Sequence, residues 1–347
     1  MLKVLVTGVG SNIGQGIIKS LRMSKIQCHV VGTDMITLSA GLFRCNKGYV
    51  VPPASDGRFI SEIVRICKNE EIQIILVGSD AEVPVLSCNK STIENSCQAK
   101  VIVSDPKVVD IASDKWNTCN FLKRGKLNYP RSALGDSKED IEQLIKERGF
   151  PLIVKPRKGT ASKGTFKVQD SDELAYGLKF AKDPIVQENL GSEDEEYTSG
   201  IFFSRDSEIK GVITMKRELL QGTTYRAIVG RYPEVEQEVR RVANSLGKLG
   251  VIGPINIQTR LTPKGAVTFE INPRFSGTTV FRAKLGFNEP EAIIKNFLLN
   301  EEICELTYSK GVVMRYWEEV YTSIEEFARL KERGYLENPQ SEILPLL

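Results

Sequence analysis

Residues 269–277 read FEINPRFSG, and the strands around them decide the back half of the fold. Residues 255–261 (INIQTRL) and 267–271 (VTFEI) have strand composition, joined by Thr262-Pro263-Lys264-Gly265, a plausible turn. A hairpin centred on Lys264 sets Gln258 opposite Glu270 and Asn256 opposite Asn272. Side chains two apart on a strand share a face, so all four converge on one patch. One carboxylate among three carboxamides offers oxygen ligands of the hard kind that Mg²⁺ prefers, and its low charge suits a metal already carrying phosphates. Arg274, just past the strand end, can reach the patch as a fork for phosphate or carboxylate. The same pattern fits a plain polar hairpin face turned to water, because a one-residue register slip separates the two polar faces.

Upstream, Lys155 ends an apolar strand over residues 152–155, and Pro156, Arg157, Lys158, Gly159, Ser162, Lys163 and Gly164 follow. A flexible basic loop between two strands can fold over a triphosphate and donate N–H groups to it. The P-loop pattern, GxxxxGK followed by Ser or Thr, is absent. A lysine at a strand end fits a solvated edge charge equally well.

The first hundred residues alternate strand (3–6, 28–32, 72–77) with helix (13–21, 59–67), which argues for a parallel, doubly wound sheet. Its ligand edge lies at the carboxyl ends of the strands, residues 7–10, 33–34 and 78–82. Gly8, Gly10 and Gly14 open the first helix, with Asp34 twenty positions beyond Gly14. A dinucleotide fingerprint needs its third glycine at position 13, where this chain has Ile13. The loop can still present N–H groups to an anion, and a glycine-tolerant turn explains it as well. Asp80, Glu82 and Asp34 on this edge, and Ser276 to Thr278 beyond Arg274, are candidate acceptor contacts; helix capping accounts for them equally.

Past residue 105 the character shifts. Helical patterns at 108–122, 138–148 and 173–180 interleave with strands at 152–155, 165–168, 185–188, 197–203 and 209–215, an α+β arrangement. The tail after Lys310 holds a strand-like VVMRYW run and a helix. A chain of 347 residues with 41% hydrophobic content suits about two domains with real cores. A net charge of +3 implies no general polyanion surface, hence no nucleic-acid partner, and no apolar run approaches the roughly 20 residues of a membrane span. Neither a signal-peptide core nor a cleavage site follows Met1. Seven cysteines, six of them before residue 120 and none in a CxxC pair, read as a reduced, cytoplasmic chain. The single histidine, His29, sits in an apolar strand, which sets aside most zinc hydrolases and His-dependent triads.

The order of Asp114-Lys115, GFPLIVKP (149–156), VQENL (186–190) with EEYT (195–198), NIQ (256–258) and FEINPRFSGTT (269–279) resembles the ATP-grasp superfamily. Within it, the resemblance is to one synthetase half of the carbamoyl phosphate synthetase large subunit, over residues 1–298. It implies an α/β N-terminal Rossmann-like pre-ATP-grasp domain (1–108) followed by an α+β ATP-grasp fold. That fold divides into a small lid subdomain (109–185), a large subdomain with the metal and phosphate site (186–305) and a C-terminal extension (306–347). By the same resemblance Lys115 and Lys155 reach the nucleotide phosphates, and the loop carrying Ser162, Lys163 and Gly164 covers them. Gln187, Glu188 and Leu190 form the hinge at the adenine, Glu196 takes the ribose hydroxyls, and Asn256 adjoins the nucleotide. Gln258, Glu270 and Asn272 hold Mg²⁺, with Mn²⁺ as the alternative, and Arg274 stabilises the transferring phosphoryl group. Asp80, Glu82, Ser276 and Gly277 are left for the acceptor.

The family's chemistry makes a carboxylate electrophilic by phosphorylation with ATP, and an amine then displaces phosphate. This chain resembles an ADP-forming, amide-forming ligase of a small-molecule carboxylate and amine, with no membrane partner and a homodimer left open. Two departures stand out: the covering loop has fewer glycines than many relatives, and there is one ATP-grasp unit with no glutaminase-like segment. Carbamoyl phosphate synthesis needs two phosphorylations, so that activity is not implied. The rival readings are a catalytically inactive ATP-grasp nucleotide-binding module and an NAD(P)-dependent oxidoreductase.

Overall fold

The computed structural model describes residues 1–159, 164–316 and 318–343. Among them the first sheet runs, in spatial order, Tyr335–Glu337, Lys47–Val50, Cys28–Asp34, Leu2–Val6, Ile74–Leu76 and Lys100–Ile102. All its pairings are parallel except that of the outermost strand, Tyr335–Glu337. The central strand is buried on both faces: Val4 and Val6 pack into one apolar cluster and Leu5 into another. That double burial is what the unbroken apolar run LKVLV encodes. The doubly wound expectation holds. The short strands Lys47–Val50 and Lys100–Ile102 and the helices Glu82–Cys88 and Lys90–Cys97 complete it; their weak periodicity hides them in the sequence.

The glycine loop is closed by the protein itself. Gly10 N–H donates to Asp34 Oδ2 at 2.6 Å, and a Cβ on Gly10 would lie 2.5 Å from Ser39 Oγ. Asp34 thus occupies the loop instead of reaching outward to a ribose, and Ser11 caps the helix Asn12–Met23 through Gly14 N–H. Gly14 is required for packing, since its Cβ would come within 2.3 Å of the Gly8 carbonyl oxygen. This filled turn removes the geometric basis for the oxidoreductase reading.

A second, four-stranded antiparallel sheet runs Ser132–Leu134, Pro184–Glu188, Leu152–Pro156 and Phe166–Val168. Ile141 and Leu144 of the helix Lys138–Arg148, with Leu174 of Ser171–Phe180, bury its apolar side chains. The strand Pro184–Glu188 lies inside this sheet, so residues 186–188 sit with the lid strands.

The third sheet, also antiparallel, runs Gly265–Asn272, Gly253–Thr262, Glu196–Phe203, Ile209–Leu220, Thr223–Val229 and Gly311–Met314. Helix Pro233–Gly247 covers one face with Val235, Val239, Val242 and Leu246, a stripe at helical spacing, against Ile255 and Ile257. Strand alternation then turns Asn256, Gln258 and Arg260 to the opposite side. The helix expected over 108–122 is two helices, Pro106–Ser113 and Lys115–Arg124. Asp114 breaks it, at φ −114° and ψ 115°, and caps the second by accepting from Trp116 N–H and Asn117 N–H.

Candidate functional site

The hairpin register places Gln258 opposite Glu270 and Asn256 opposite Asn272. Nearer the turn, however, Thr259 pairs with Thr268 and Thr262 with Gly265, so centring on Lys264 holds only beyond a bulge. Phe269 is the extra residue. Bulges re-aim side chains beside functional clefts, and here the Phe269 ring lies 5.8 Å from Lys155 Nζ and 5.7 Å from Arg260 Cζ. Glu270 Oε1 accepts from Asn272 Nδ2 at 2.9 Å and from Gln258 Nε2 at 3.3 Å. Asn256 turns elsewhere: it is 1% exposed, and its Oδ1 accepts from Thr198 Oγ1 at 2.8 Å and Arg282 Nη2 at 2.5 Å. Arg282, fully buried, is paired with the equally buried Glu289 at 3.1 Å. Asn256 therefore forms the floor beneath Gln258, Glu270 and Asn272 and does not line the cleft.

Lys155 is buried and donates to Gln187 Oε1 at 2.7 Å, and among the described residues no carboxylate is in hydrogen-bond reach of it. Burial, reinforced by the like charge of Lys115, brings its ammonium down to about 8 from 10.5. Gln187 Nε2 is anchored on Ser132 Oγ at 2.9 Å. Glu188 Oε1 accepts from Arg131 N–H at 2.6 Å and its other oxygen pairs with Arg148 at 2.9 Å, so its side chain braces the strand end. Lys115 Nζ donates to the Gly159 carbonyl at 3.0 Å, at the root of the basic loop. Asp114 takes Arg157 at 2.8 Å, tying that loop to the helix that carries Lys115. Gly164 stands over Pro156 at positive φ, whereas Ser162 and Lys163 lie outside the described residues.

Glu196 is held between two arginines that the sequence did not single out. Arg217 reaches its Oε1 at 2.5 Å and Arg260 its Oε2; Arg217 also donates to Gln258 Oε1 at 2.9 Å. Burial raises this carboxyl's pKa, but the two guanidinium charges outweigh it and leave the net shift downward. Arg260 was legible, lying two positions from Gln258 on the same face. Arg217 sits in strand Ile209–Leu220 beyond the apolar run that marked it.

These groups border a cleft of about 720 Å³ between the lid sheet and the large sheet. Lys115, Lys155, Gln187, Glu188, Leu190, Glu196, Gln258 and Glu270 all line it. A second cavity of about 560 Å³ shares Lys115, Gly159 and Glu270 with the first and adds Asn272, Arg274 and Asp80. Arg274 forks onto Asp80, Nε to Oδ1 at 2.5 Å and Nη2 to Oδ2 at 3.1 Å, and Nη2 also donates to Asn272 Oδ1 at 3.2 Å. Of the six offered acceptor residues, Asp80 lines the second cavity, whereas Asp34, Glu82, Ser276, Gly277 and Thr278 lie outside both. Glu82 is buried beside Thr7, its carboxyl pushed up to about 7, chiefly by burial. Ser276 is 6% exposed and bonded to Thr278, and Gly277 abuts Asn12 while its carbonyl accepts from Arg315. Gly277 thus belongs to the seam between the first sheet's helix and the tail, and Ser276 to the turn that opens the helix Thr279–Lys284.

Residues 4–102 match the PylC-like N-terminal domain family and residues 112–278 the ATP-grasp domain family. The carbamoyl phosphate synthase large chain of Helicobacter pylori is 25% identical over 354 residues, covering 95% of this chain and 32% of the relative. That of Clostridium botulinum (strain Kyoto) is 24% identical, covering 89% and 30%. The chain thus spans about a third of the length of these curated relatives. Among solved structures, the ADP complex of N5-carboxyaminoimidazole ribonucleotide synthetase matches with a TM-score of 0.71 at 14% identity, covering 96% of this chain and 85% of that one. The biotin carboxylase domain of Hydrogenobacter thermophilus 2-oxoglutarate carboxylase, solved with MgADP and bicarbonate, matches with a TM-score of 0.70 at 14% identity, covering 96% and 76%. The chain carries an ATP-grasp domain over residues 112–278, set behind a PylC-like N-terminal domain over residues 4–102.

Proposed function

We propose that this chain is an ATP-dependent, ADP-forming ligase that phosphorylates a small organic carboxylate and passes the acyl group to an amine. The observation that carries it is the junction of the two cavities at Lys115, Gly159 and Glu270, with Asn272 and Arg274 on the far side. One cavity has the residues for a nucleotide and the other has room for an acceptor.

The donor set at the junction fits a divalent cation that brings anionic ligands of its own. Glu270 is a single carboxylate between two carboxamides, Gln258 and Asn272. Among the described residues no cluster of three His, Cys, Asp or Glu could hold a metal alone. Mg²⁺ is commonly held that way, by one or two carboxylates together with substrate phosphates. When bound, it would neutralise charge on the phosphate oxygens. In this reading Lys155 and Lys115 hold the phosphates, the backbone at Glu188–Leu190 meets the base, and Glu196, fixed by Arg217 and Arg260, accepts from the ribose hydroxyls. Arg274 orients the acid and offsets charge as its oxygen attacks the γ-phosphorus and the bond to ADP breaks. The amine nitrogen then bonds to the acyl carbon, phosphate leaves with the C–O electron pair, and the surplus amine proton passes to solvent. Positioning and charge carry the step, so no histidine is needed.

Glu270→Gln keeps the hairpin's shape and removes the carboxylate. ADP release should drop at least about 100-fold, the scale seen when one preorganised stabilising group is lost, while the melting temperature stays close to that of the parent. Undiminished ADP release from this variant would sink the metal assignment.

A further inference from the structure

The second cavity has walls of a different chemistry from the nucleotide cleft. Its apolar lining is Ala81, Val83, Pro84, Val109, Ala112 and Pro273, from the first sheet's edge, helix Pro106–Ser113 and the stretch after the hairpin. Val83, Val109 and Ala112 are 3%, 3% and 4% exposed and belong to the packed core behind the cavity, whereas Ala81 and Pro84 are exposed. Its polar lining is Lys115, Glu270, Asn272 and the Asp80–Arg274 fork, with Asp110, Ser113 and Lys158 beside them. At about 560 Å³ the space falls within the roughly 300–1,000 Å³ typical of metabolite and drug-sized sites.

An acid that is to be phosphorylated must put its carboxylate where the cavities join. The rest of it lies against a lining to which six apolar residues contribute, and a polar group set against those is left without a partner. Arg274 on this cavity's wall already takes a carboxylate, that of Asp80, so an acid entering here meets that guanidinium and the Lys115 ammonium. From this we infer that the second cavity is the acyl-substrate site, and that it selects an organic acid with an apolar aliphatic or aromatic body over bicarbonate or short polar acids. The inference rests on the ligase reading for which end of the substrate faces Arg274, but binding alone can test it.

The test uses the full chain with Mg²⁺ and a non-hydrolysable ATP analogue. Dissociation constants are measured for bicarbonate, the straight-chain acids from acetate to octanoate, and phenylpropionate against succinate. Affinity should rise with apolar length, by about threefold or more per methylene, as apolar pockets discriminate. Ala81→Phe, at an exposed position on the cavity wall, should weaken the longer acids at least about tenfold while leaving acetate and the analogue unchanged. Val109→Thr, which keeps volume and adds a hydroxyl, should act in the same direction. Affinity that is flat with chain length, or highest for bicarbonate or succinate, overturns the inference, as does insensitivity of the longer acids to both variants. ADP release with hydroxylamine as trapping amine is read in parallel. Tight binding of apolar acids without turnover would overturn the ligase reading and leave the site standing. Turnover confined to bicarbonate would do the reverse.

Discussion

At the scale of single residues, Lys155 has consequences opposite in sign for stability and for binding. Folding lowers its pKa from 10.5 to about 8 because the ammonium is stripped of water and finds only the Gln187 carboxamide oxygen. A depressed lysine disfavours its charged form, so below pH 8 the cost to the fold is present in full. Between about 8 and 10.5 the folded chain has shed the proton and the unfolded chain has not, so stability rises with pH across that window. Lys155→Met should therefore melt higher than the parent near pH 7, flatten that rise, and lose nucleotide affinity. Nucleotide phosphates favour the ammonium, so at pH 8 and above the parent should take up a proton on binding, and calorimetry in buffers of different ionisation enthalpy reads it. Equal melting points and no proton uptake would refute this account of Lys155. The sequence offered Lys155 as a loop-edge cation, and that much was legible from the basic run behind it. Its burial was not, because it depends on strand Pro184–Glu188 arriving beside it from thirty residues away.

Between elements, two irregularities set the site, and both escape periodicity. The hairpin pairing of Gln258 with Glu270 was readable from composition and turn length, yet it is reached through the Phe269 bulge. An extra residue has no signature in an alternating strand, so symmetry about Lys264 gave the right partners for the distal pairs only. The second irregularity is the break at Asp114 in what reads as one helix. Apolar spacing continues through residues 108–122, so nothing but the capping preference of aspartate marks the stop. This break puts Lys115 at a helix start, facing the Gly159 carbonyl. Asp114→Ala should lose both the cap, worth about 0.5–2 kcal/mol, and the anchor for Arg157, raising the ATP KM as Lys115 and the loop lose their alignment. Asp114→Asn keeps a competent cap and loses the ion pair, so denaturant melts should place it near the parent while its KM shifts partway. If the two variants behave alike in both measurements, cap and anchor are not separable and the dissection fails.

For the molecule as a whole, the tail after Lys310 is the element that sequence said least about, and it binds the two large sheets together. Gly311–Met314 pairs with Thr223–Val229 at the edge of the large sheet, and Tyr335–Glu337 pairs with Lys47–Val50 at the edge of the first. Between them helix Ile324–Arg333 buries Leu330 completely, and Leu336 is 5% exposed. Arg315 donates to the Gly277 carbonyl at 2.7 Å and lies 4.9 Å from the Phe281 ring, which places the tail against the stretch that follows Arg274. Short strands on sheet edges carry little periodic signal, and their partners lie nearly a hundred and nearly three hundred residues upstream. A chain ending at Lys310 should uncover both edges and lose the burial of Leu330 and Leu336, each worth about 1.5–3 kcal/mol. Its melting temperature should fall by several degrees, it should bind a hydrophobic dye, and the second cavity should loosen because Asp80 and Arg274 come from the two halves the tail joins. Leu330→Ala, which leaves both edge strands in place, should cost about 2–5 kcal/mol and reproduce the loss of stability without the exposed edges. If the shortened chain instead melts with the parent and keeps its acid and nucleotide affinities, the two halves are held by contacts such as Arg274–Asp80, Ser104 with Ile252 and the helix Asn12–Met23, and the tail's pairing with the sheets adds nothing to their alignment.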